Sequence, residues 1–107
     1  MTAPEAIEVV DVPDESRFEA RLGSRLVGFS RYELRDRVIA LLHTEIDADQ
    51  EGKGFGSQLA RGVLADVRGR GVTVVVQCPF LAAYVRRHQA DYPDIDLHAG
   101  KTRISPG

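Results

Sequence analysis

Residues 38–77 constrain the fold more than any other part of the sequence. The run Val38–Ile46 is apolar on both alternating sets of positions, which is typical of a central strand covered on each side. From Phe55 onward, apolar residues recur about every four positions, which predicts an amphipathic helix that ends near Gly69. Residues 72–77 form a second, short β-branched run. Strand, helix and strand in this order predict a βαβ unit with parallel strands and a right-handed crossover.

Antiparallel strands are expected before this unit. Residues 7–12 alternate weakly and end at a Pro-Asp pair, which indicates an edge strand closed by a turn. Arg17–Leu22 and residues 25–34 are separated by Gly-Ser, and glycine supplies the positive φ that a tight hairpin needs. A second turn is predicted at Arg35-Asp36. The result is an α/β chain with a mixed sheet.

A second helix is predicted after the last strand. Pro79 suits the first helical position, where its missing N–H costs nothing, so Cys78 becomes the N-cap residue. Tyr92-Pro93 ends any helix, and residues from about 97 to 107 are predicted to form a poorly ordered tail.

Composition narrows the function classes. The 107 residues suit a single domain, 1–107, and a monomer or weak homodimer is expected. The net charge of −2 argues against nucleic-acid binding, and no stretch is apolar for the length that a membrane span requires. The single cysteine excludes an internal disulfide and favours a reducing compartment, which predicts a cytoplasmic protein. The spacing of histidines and cysteine fits no metal site.

The segment from residue 50 to residue 57 carries the strongest chemical signal. Its glycines at alternate positions, 52, 54 and 56, precede a helix whose first N–H groups lack intrahelical partners, an arrangement that binds anions. Gly54 after Lys53 excludes a Walker A loop, and the even glycine spacing does not fit a dinucleotide fingerprint. Two interpretations stay open, which are a site for the diphosphate of coenzyme A and a loop without a ligand.

Three short motifs together resemble the small GCN5-related N-acetyltransferase-like proteins, over about residues 32–92. They are His43-Thr44 at a strand end, residues 51–56 at a helix start, and Cys78-Pro79-Phe80 after the next strand, with Tyr84 and His88 following. Glu51 stands where glutamine or arginine is usual in the wider superfamily. The chain also lacks the helical insertion that larger members carry between their first two strands, a segment that shapes the acceptor pocket.

The resemblance implies a GNAT-like fold, a βαβ unit whose parallel strands separate at their C-terminal ends, and acetyl-CoA between them. It also implies an amine acceptor as the second, small-molecule or protein, substrate. The residues expected to contact the cofactor are His43, Thr44, Glu45, Ile46, Glu51, Gly52, Lys53, Gly54, Phe55, Gly56, Ser57, Cys78, Phe80, Tyr84, Arg87 and His88.

Three of these residues are candidates for catalysis, each with a plainer alternative. Cys78 is expected at a helix N-terminus, which lowers thiol pKa values, so it either accepts the acetyl group or is a small buried residue of the pocket. His43 is expected beside Ile39 and Leu41, either as a base or as a buried structural histidine. The resemblance makes Tyr84 an acid for the departing thiolate, whereas its helical spacing also suits the core.

The sequence therefore predicts an N-acetyltransferase. Two alternatives remain, which are a domain that binds acetyl-CoA with little turnover and a hydrolase that uses Cys78 with His43. The hydrolase leaves the glycine segment unexplained and shows no third residue that orients the histidine.

Overall fold

The computed structural model describes residues 5–95 and 97. A five-stranded sheet has the order β1-β2-β3-β4-β5, with β1 to β4 antiparallel and β5 parallel to β4. The α/β architecture and the βαβ unit predicted from the sequence are confirmed. The elements are β1 (Glu8–Val12), β2 (Arg17–Leu22), β3 (Arg25–Arg35), β4 (Val38–Ile46), α1 (Phe55–Arg68), β5 (Thr73–Val76) and α2 (Pro79–Arg87), with short 3-10 turns at Pro13–Glu15, Ala48–Gln50 and Gln89–Asp91.

Short connections join the antiparallel strands. A single 3-10 turn, Pro13–Glu15, links β1 to β2. Gly23 has a φ of 63° in the β2–β3 turn, as its position in a tight hairpin requires. The β3–β4 turn lies at Asp36-Arg37, one residue later than predicted. Both residues have positive φ (51° and 69°), the conformation that matches a two-residue turn to the strand twist.

The core lies on one face of the sheet, where both helices pack. Side chains from β2, β3, β4 and β5 meet those of α1 and α2 in one buried cluster. Its largest fully buried members are Phe18, Phe55, Ile39, Leu41, Leu59, Leu64 and Leu81. The alternating pattern of the strands and the four-residue stripe of α1 are both explained by this single interface. Among the described residues no helix has the length and apolar character needed to cross a membrane.

The second face of β4 does not carry a helix in the described part of the chain, so the expected covering of both faces is wrong. Ala40 is nearly buried there all the same, because the register places it between Glu33 of β3 and Val75 of β5. A small apolar residue in that position is shielded by its cross-strand neighbours and needs no covering layer. We call this surface the open face.

The C-terminal end of α1 is fixed to the sheet by a polar network. Arg70 donates to Asp66 and to Asp11 of β1, at 2.6 Å each, and the hydroxyl of Tyr32 donates to Asp11 at 2.7 Å. Burial, together with the hydrogen bond to Asp11, raises the pKa of Tyr32 to about 12. The network holds α1, and with it the segment before α1, in a defined position on the sheet.

Candidate functional site

The parallel strands β4 and β5 separate before β4 ends. Their register stops at Leu41 opposite Val76, and the amides of Gln77 and Cys78 both donate to the carbonyl oxygen of Leu41, at 2.9 and 3.0 Å. Beyond Leu41, β4 continues to Ile46 and pairs only with β3 in the described part of the chain. Alternate residues of a strand direct their N–H and C=O groups to the same side, so this stretch presents backbone donors and acceptors to the gap.

A groove of about 510 Å³ begins at this gap and runs to the start of α1. Its walls come from the end of β4, from the segment before α1 and from the start of α2. The lining residues are Thr44, Glu45, Ile46, Gln50, Glu51, Gly52, Gly54, Phe55, Gly56 and Phe80. The groove therefore lies at the carboxyl ends of the parallel strands, where open α/β sheets bind ligands.

The start of α1 offers backbone amides to this groove. Gly52 and Gly54 have φ values of 84° and 81°, a conformation that residues with a Cβ rarely adopt, and Gly54 is the N-cap without a capping side chain. The amide of Gln58 makes the first helical bond, to the carbonyl of Gly54. Within residues 5–95 no acceptor is bonded to the amides of Phe55, Gly56 or Ser57. The helix dipole adds positive potential at the same amides, so the site suits an anion.

Phe80 forms the wall of the groove beside the first turn of α1. Its side chain is 38% exposed, although it is large and apolar. A Cβ placed on Gly56 would lie only 2.7 Å from Cζ of the Phe80 ring. The absence of a side chain at Gly56 therefore lets the aromatic ring approach the first turn of α1 and narrow the groove.

Cys78 lies at the N-terminus of α2 on the helix side of the sheet. It is the N-cap residue, as predicted, but it is only 2% exposed and its thiol donates to Oγ1 of Thr44 at 3.4 Å. Thr44 in turn shares a hydrogen bond of 3.1 Å with the hydroxyl of Ser30, which is fully buried. Ser30 was not identified from the sequence, since a serine within a strand has no distinguishing pattern.

His43 does not lie beside Ile39 and Leu41, so the placement expected from strand alternation is wrong. The register pairs Tyr32 with Leu41 but Arg31 with His43, which leaves Leu42 as an extra residue. Such a bulge shifts the alternation by one position and turns His43 to the open face. There its side chain is 50% exposed, and Nε2 lies 2.8 Å from a carboxylate oxygen of Glu45. A carboxylate that orients the histidine is thus present, although the sequence did not reveal it.

The predicted residues of α2 other than Phe80 lie away from the groove. Tyr84 is buried, and its ring centroid is 4.3 Å from that of His88 and 6.0 Å from that of Tyr92. Nδ1 of His88 lies 2.9 Å from the carbonyl oxygen of Tyr84, and Arg87 is exposed. Tyr84 has the core position that its helical spacing also suggested.

Gln50 is a groove residue that the sequence placed in the segment 50–57 without assigning it a contact. It is only 5% exposed, at the end of the 3-10 turn Ala48–Gln50, and its Oε1 accepts a hydrogen bond of 3.2 Å from Nζ of Lys53. A glutamine in a polar loop stands out only when it is buried, and burial depends on the tertiary structure, which the local sequence does not show.

The structure brings together nine of the residues predicted to contact a cofactor. Those that line the groove are Thr44, Glu45, Ile46, Glu51, Gly52, Gly54, Phe55, Gly56 and Phe80. Those outside its lining are His43, Lys53, Ser57, Cys78, Tyr84, Arg87 and His88. Of the predicted tail, Leu97 packs partly buried against the core, and residues 98–107 lie outside the described residues.

Comparison with known proteins identifies one family. A family model described as GCN5-related N-acetyl-transferase matches residues 17–95, from β2 to the segment after α2. No curated protein matches the chain.

Proposed function

Because the chain belongs to the GCN5-related N-acetyltransferase family, we propose that it binds acetyl-CoA and transfers the acetyl group to an amine. One observation carries the proposal: the unpaired end of β4 and the unpaired amides of α1 border the same groove. A ligand with an anionic end and an extended polar arm matches both. Coenzyme A has this form, with a diphosphate at one end of its pantetheine arm.

Each part of the groove has a role in this proposal. The amides of Phe55, Gly56 and Ser57 bind the diphosphate, since charge-assisted bonds to backbone N–H groups are strong and need no side chain. The backbone of Thr44 to Ile46 bonds the pantetheine arm in the place of a further strand. Phe80 packs against the arm and excludes water from it. Bound acetyl-CoA supplies the thioester that the amine attacks.

His43 and Glu45 provide the base in this account. An amine that approaches from the open face meets the imidazole, which accepts the proton that the amine loses as its nitrogen bonds the acetyl carbon. The bond from the acetyl carbon to the sulfur then breaks, and coenzyme A leaves as the thiolate. Glu45, with a carboxylate oxygen 2.8 Å from Nε2, orients the ring. We assign no step to Tyr84, because it is buried between aromatic neighbours and does not line the groove.

Direct transfer to the amine is favoured over a route through an acetylated cysteine. Cys78 is almost fully buried and its thiol donates a hydrogen bond to Oγ1 of Thr44, which is the arrangement of a thiol that packs as a small core residue. A hydrolase that pairs Cys78 with His43 is disfavoured as well. The two side chains lie on opposite faces of the sheet, since Thr44, the partner of Cys78, points to the side away from His43.

A domain that binds acetyl-CoA with little turnover is the second candidate. The observation that favours it is the short connection between β1 and β2, where a turn replaces the helices that shape an acceptor pocket in larger relatives. This alternative shares the groove and its ligand with the transferase. It differs only in the rate at which acetyl groups leave the site.

One experiment separates the two candidates. Calorimetry with coenzyme A measures binding, and release of free thiol from acetyl-CoA is then followed with and without a panel of primary amines, including polyamines and lysine peptides. Thiol release that depends on an added amine supports the transferase. Binding with no amine-dependent release supports the binding domain, and absence of binding at millimolar coenzyme A contradicts both.

A further inference from the structure

The loop before α1 has an unfavourable charge for a diphosphate site. Asp47, Asp49 and Glu51 precede the helix, and Lys53 is the one cation among them. Asp49 is bonded to Arg25 at 2.8 Å, which neutralises that carboxylate. Glu51 lines the groove and has no ion-pair partner among residues 5–95. Asp47 has no ion-pair partner among these residues either, but it does not line the groove, so the position of the Lys53 ammonium decides how far the charge of Glu51 is offset there.

Lys53 is held by a hydrogen bond to a neutral side chain and not by an ion pair. Its Nζ donates to Oε1 of Gln50, and within the described chain Lys53 takes part in no ion pair. A neutral acceptor fixes the ammonium but leaves its full charge for a ligand. Gln50 itself is buried in the groove wall, so its amide cannot swing away with the solvent-exposed lysine.

We propose that Gln50 is a positioning residue that holds Lys53 beside the amides of α1, so that the ammonium binds the diphosphate of coenzyme A. This inference rests on the proposed function. A free lysine loses side-chain entropy on meeting a ligand, and a lysine already held in place loses less. Gln50 thus contributes to affinity without carrying charge, and it offsets the carboxylate of Glu51.

The test is a double-mutant cycle on coenzyme A binding. Gln50→Leu keeps a side chain of similar volume in the wall but removes the acceptor for Lys53. Lys53→Met keeps the aliphatic stem of the lysine but removes its charge. Arg61→Gln is the control, because it removes an exposed positive charge of α1 outside the groove. Dissociation constants are measured for coenzyme A and for dephospho-coenzyme A, which retains the diphosphate but lacks the 3′-phosphate. Melting temperatures are recorded for every variant.

Gln50→Leu and Lys53→Met are each expected to raise the dissociation constants of both ligands about three- to tenfold, the loss typical of one charge-assisted contact. The double variant should be no weaker than Lys53→Met alone, because both changes remove the same contact. Arg61→Gln should bind as the original chain does. Gln50→Glu should also weaken binding, since its carboxylate neutralises Lys53 and repels the diphosphate.

Three results overturn the inference: losses that add in the double variant, Gln50→Leu without effect while Lys53→Met weakens binding, or losses seen with coenzyme A but not with dephospho-coenzyme A. The last result would place Lys53 at the 3′-phosphate. If the original chain fails to bind coenzyme A at all, the proposed function itself is contradicted. If the original chain binds coenzyme A and Gln50→Leu binds it equally well, only the role of Gln50 is contradicted.

Discussion

The amide of Cys78 donates to the carbonyl oxygen of Leu41 at 3.0 Å, and no later residue of the described chain bonds the backbone of β4 from the β5 side. The bond marks the point at which the parallel strands part. Pro79 follows at once and starts α2, so the chain turns away from β4 while β4 itself continues to Ile46. The gap that the proposed cofactor occupies thus follows from a helix start placed directly after a short strand.

Gly56→Ala should weaken coenzyme A binding about tenfold with little loss of stability. The added methyl group would meet the tip of the Phe80 ring, which is partly exposed and free to swing into the groove. Calorimetry and thermal melts measure the two effects. Ser57→Ala, an exposed change in the same turn, is the control and should bind normally.

Removing the ring should relieve this defect. The loss caused by Gly56→Ala is expected to be smaller in a Phe80→Ala background than in the original chain, because the methyl group then has no aromatic neighbour. Equal losses in both backgrounds would show that Phe80 does not set the width of the groove.

Cys78→Ala should retain coenzyme A affinity and amine acetylation within about threefold, at a cost of about 1 kcal/mol in stability for the lost packing. We expect this because the thiol is buried and hydrogen-bonded to Thr44, so it takes no part in the transfer. Steady-state assays test the rate, and mass spectrometry of the original chain after incubation with acetyl-CoA tests for a modified cysteine. An acetylated Cys78 that added amine discharges, with activity abolished in the variant, would establish the covalent route instead.

His43→Gln should lower the rate of amine acetylation about 100-fold and leave coenzyme A affinity unchanged, because the imidazole acts as base from the open face. Glu45→Gln should lower the rate less, about tenfold, since it orients the ring without exchanging the proton. Arg31→Gln is the matched control, because Arg31 is the exposed cross-strand neighbour of His43. Equal rates for His43→Gln and Arg31→Gln would remove His43 from the chemistry.

Much of the architecture could be predicted because apolar periodicity reports it directly. Val38–Ile46 was predicted with the bounds that it has, and the start of α1 at Phe55 followed from the change in period. The face on which His43 lies could not be predicted in the same way. Alternation assumes a regular strand, and the extra residue Leu42 in β4 reverses it without any mark in the sequence.

The site was predicted in part for a related reason. Glycines before a helix indicate an anion site locally, whereas Gln50 gains its importance from burial, and Ser30 from burial and from a partner, Thr44, that is distant in sequence. Tyr84 illustrates the limit of a resemblance. The resemblance suggested a catalytic tyrosine, and the structure shows Tyr84 buried against His88 and Tyr92.

Glu19→Gln should lower the melting temperature at pH 7, and the difference from the original chain should disappear at acidic pH. Hydrogen bonds from Arg21 and Arg17 hold the pKa of Glu19 below its ordinary value of 4.5. A lowered pKa in the folded state stabilises the fold above the ordinary value, and that stabilisation is lost as the pH falls through the folded-state pKa. The difference between the two proteins should therefore shrink in thermal melts taken at successively lower pH.

Glu33→Gln provides the comparison for this change. Its carboxylate pairs with Arg35 on an exposed part of β3, where ion pairs contribute little to stability. The variant should melt close to the original chain at every pH. A deficit for Glu19→Gln that stays constant down to about pH 3 would show that its ion pairs do not stabilise the fold through the carboxylate charge.

The most direct test of the proposed site is a titration of isotopically labelled protein with coenzyme A, followed by the amide resonances in nuclear magnetic resonance. Saturable shifts are expected to be largest at Phe55 and Gly56 and along β4 from Thr44 to Ile46, which line the groove, and at Ser57, whose amide lies in the same first turn of α1. Shifts confined to other surfaces, or no saturation at millimolar coenzyme A, would contradict the proposed site.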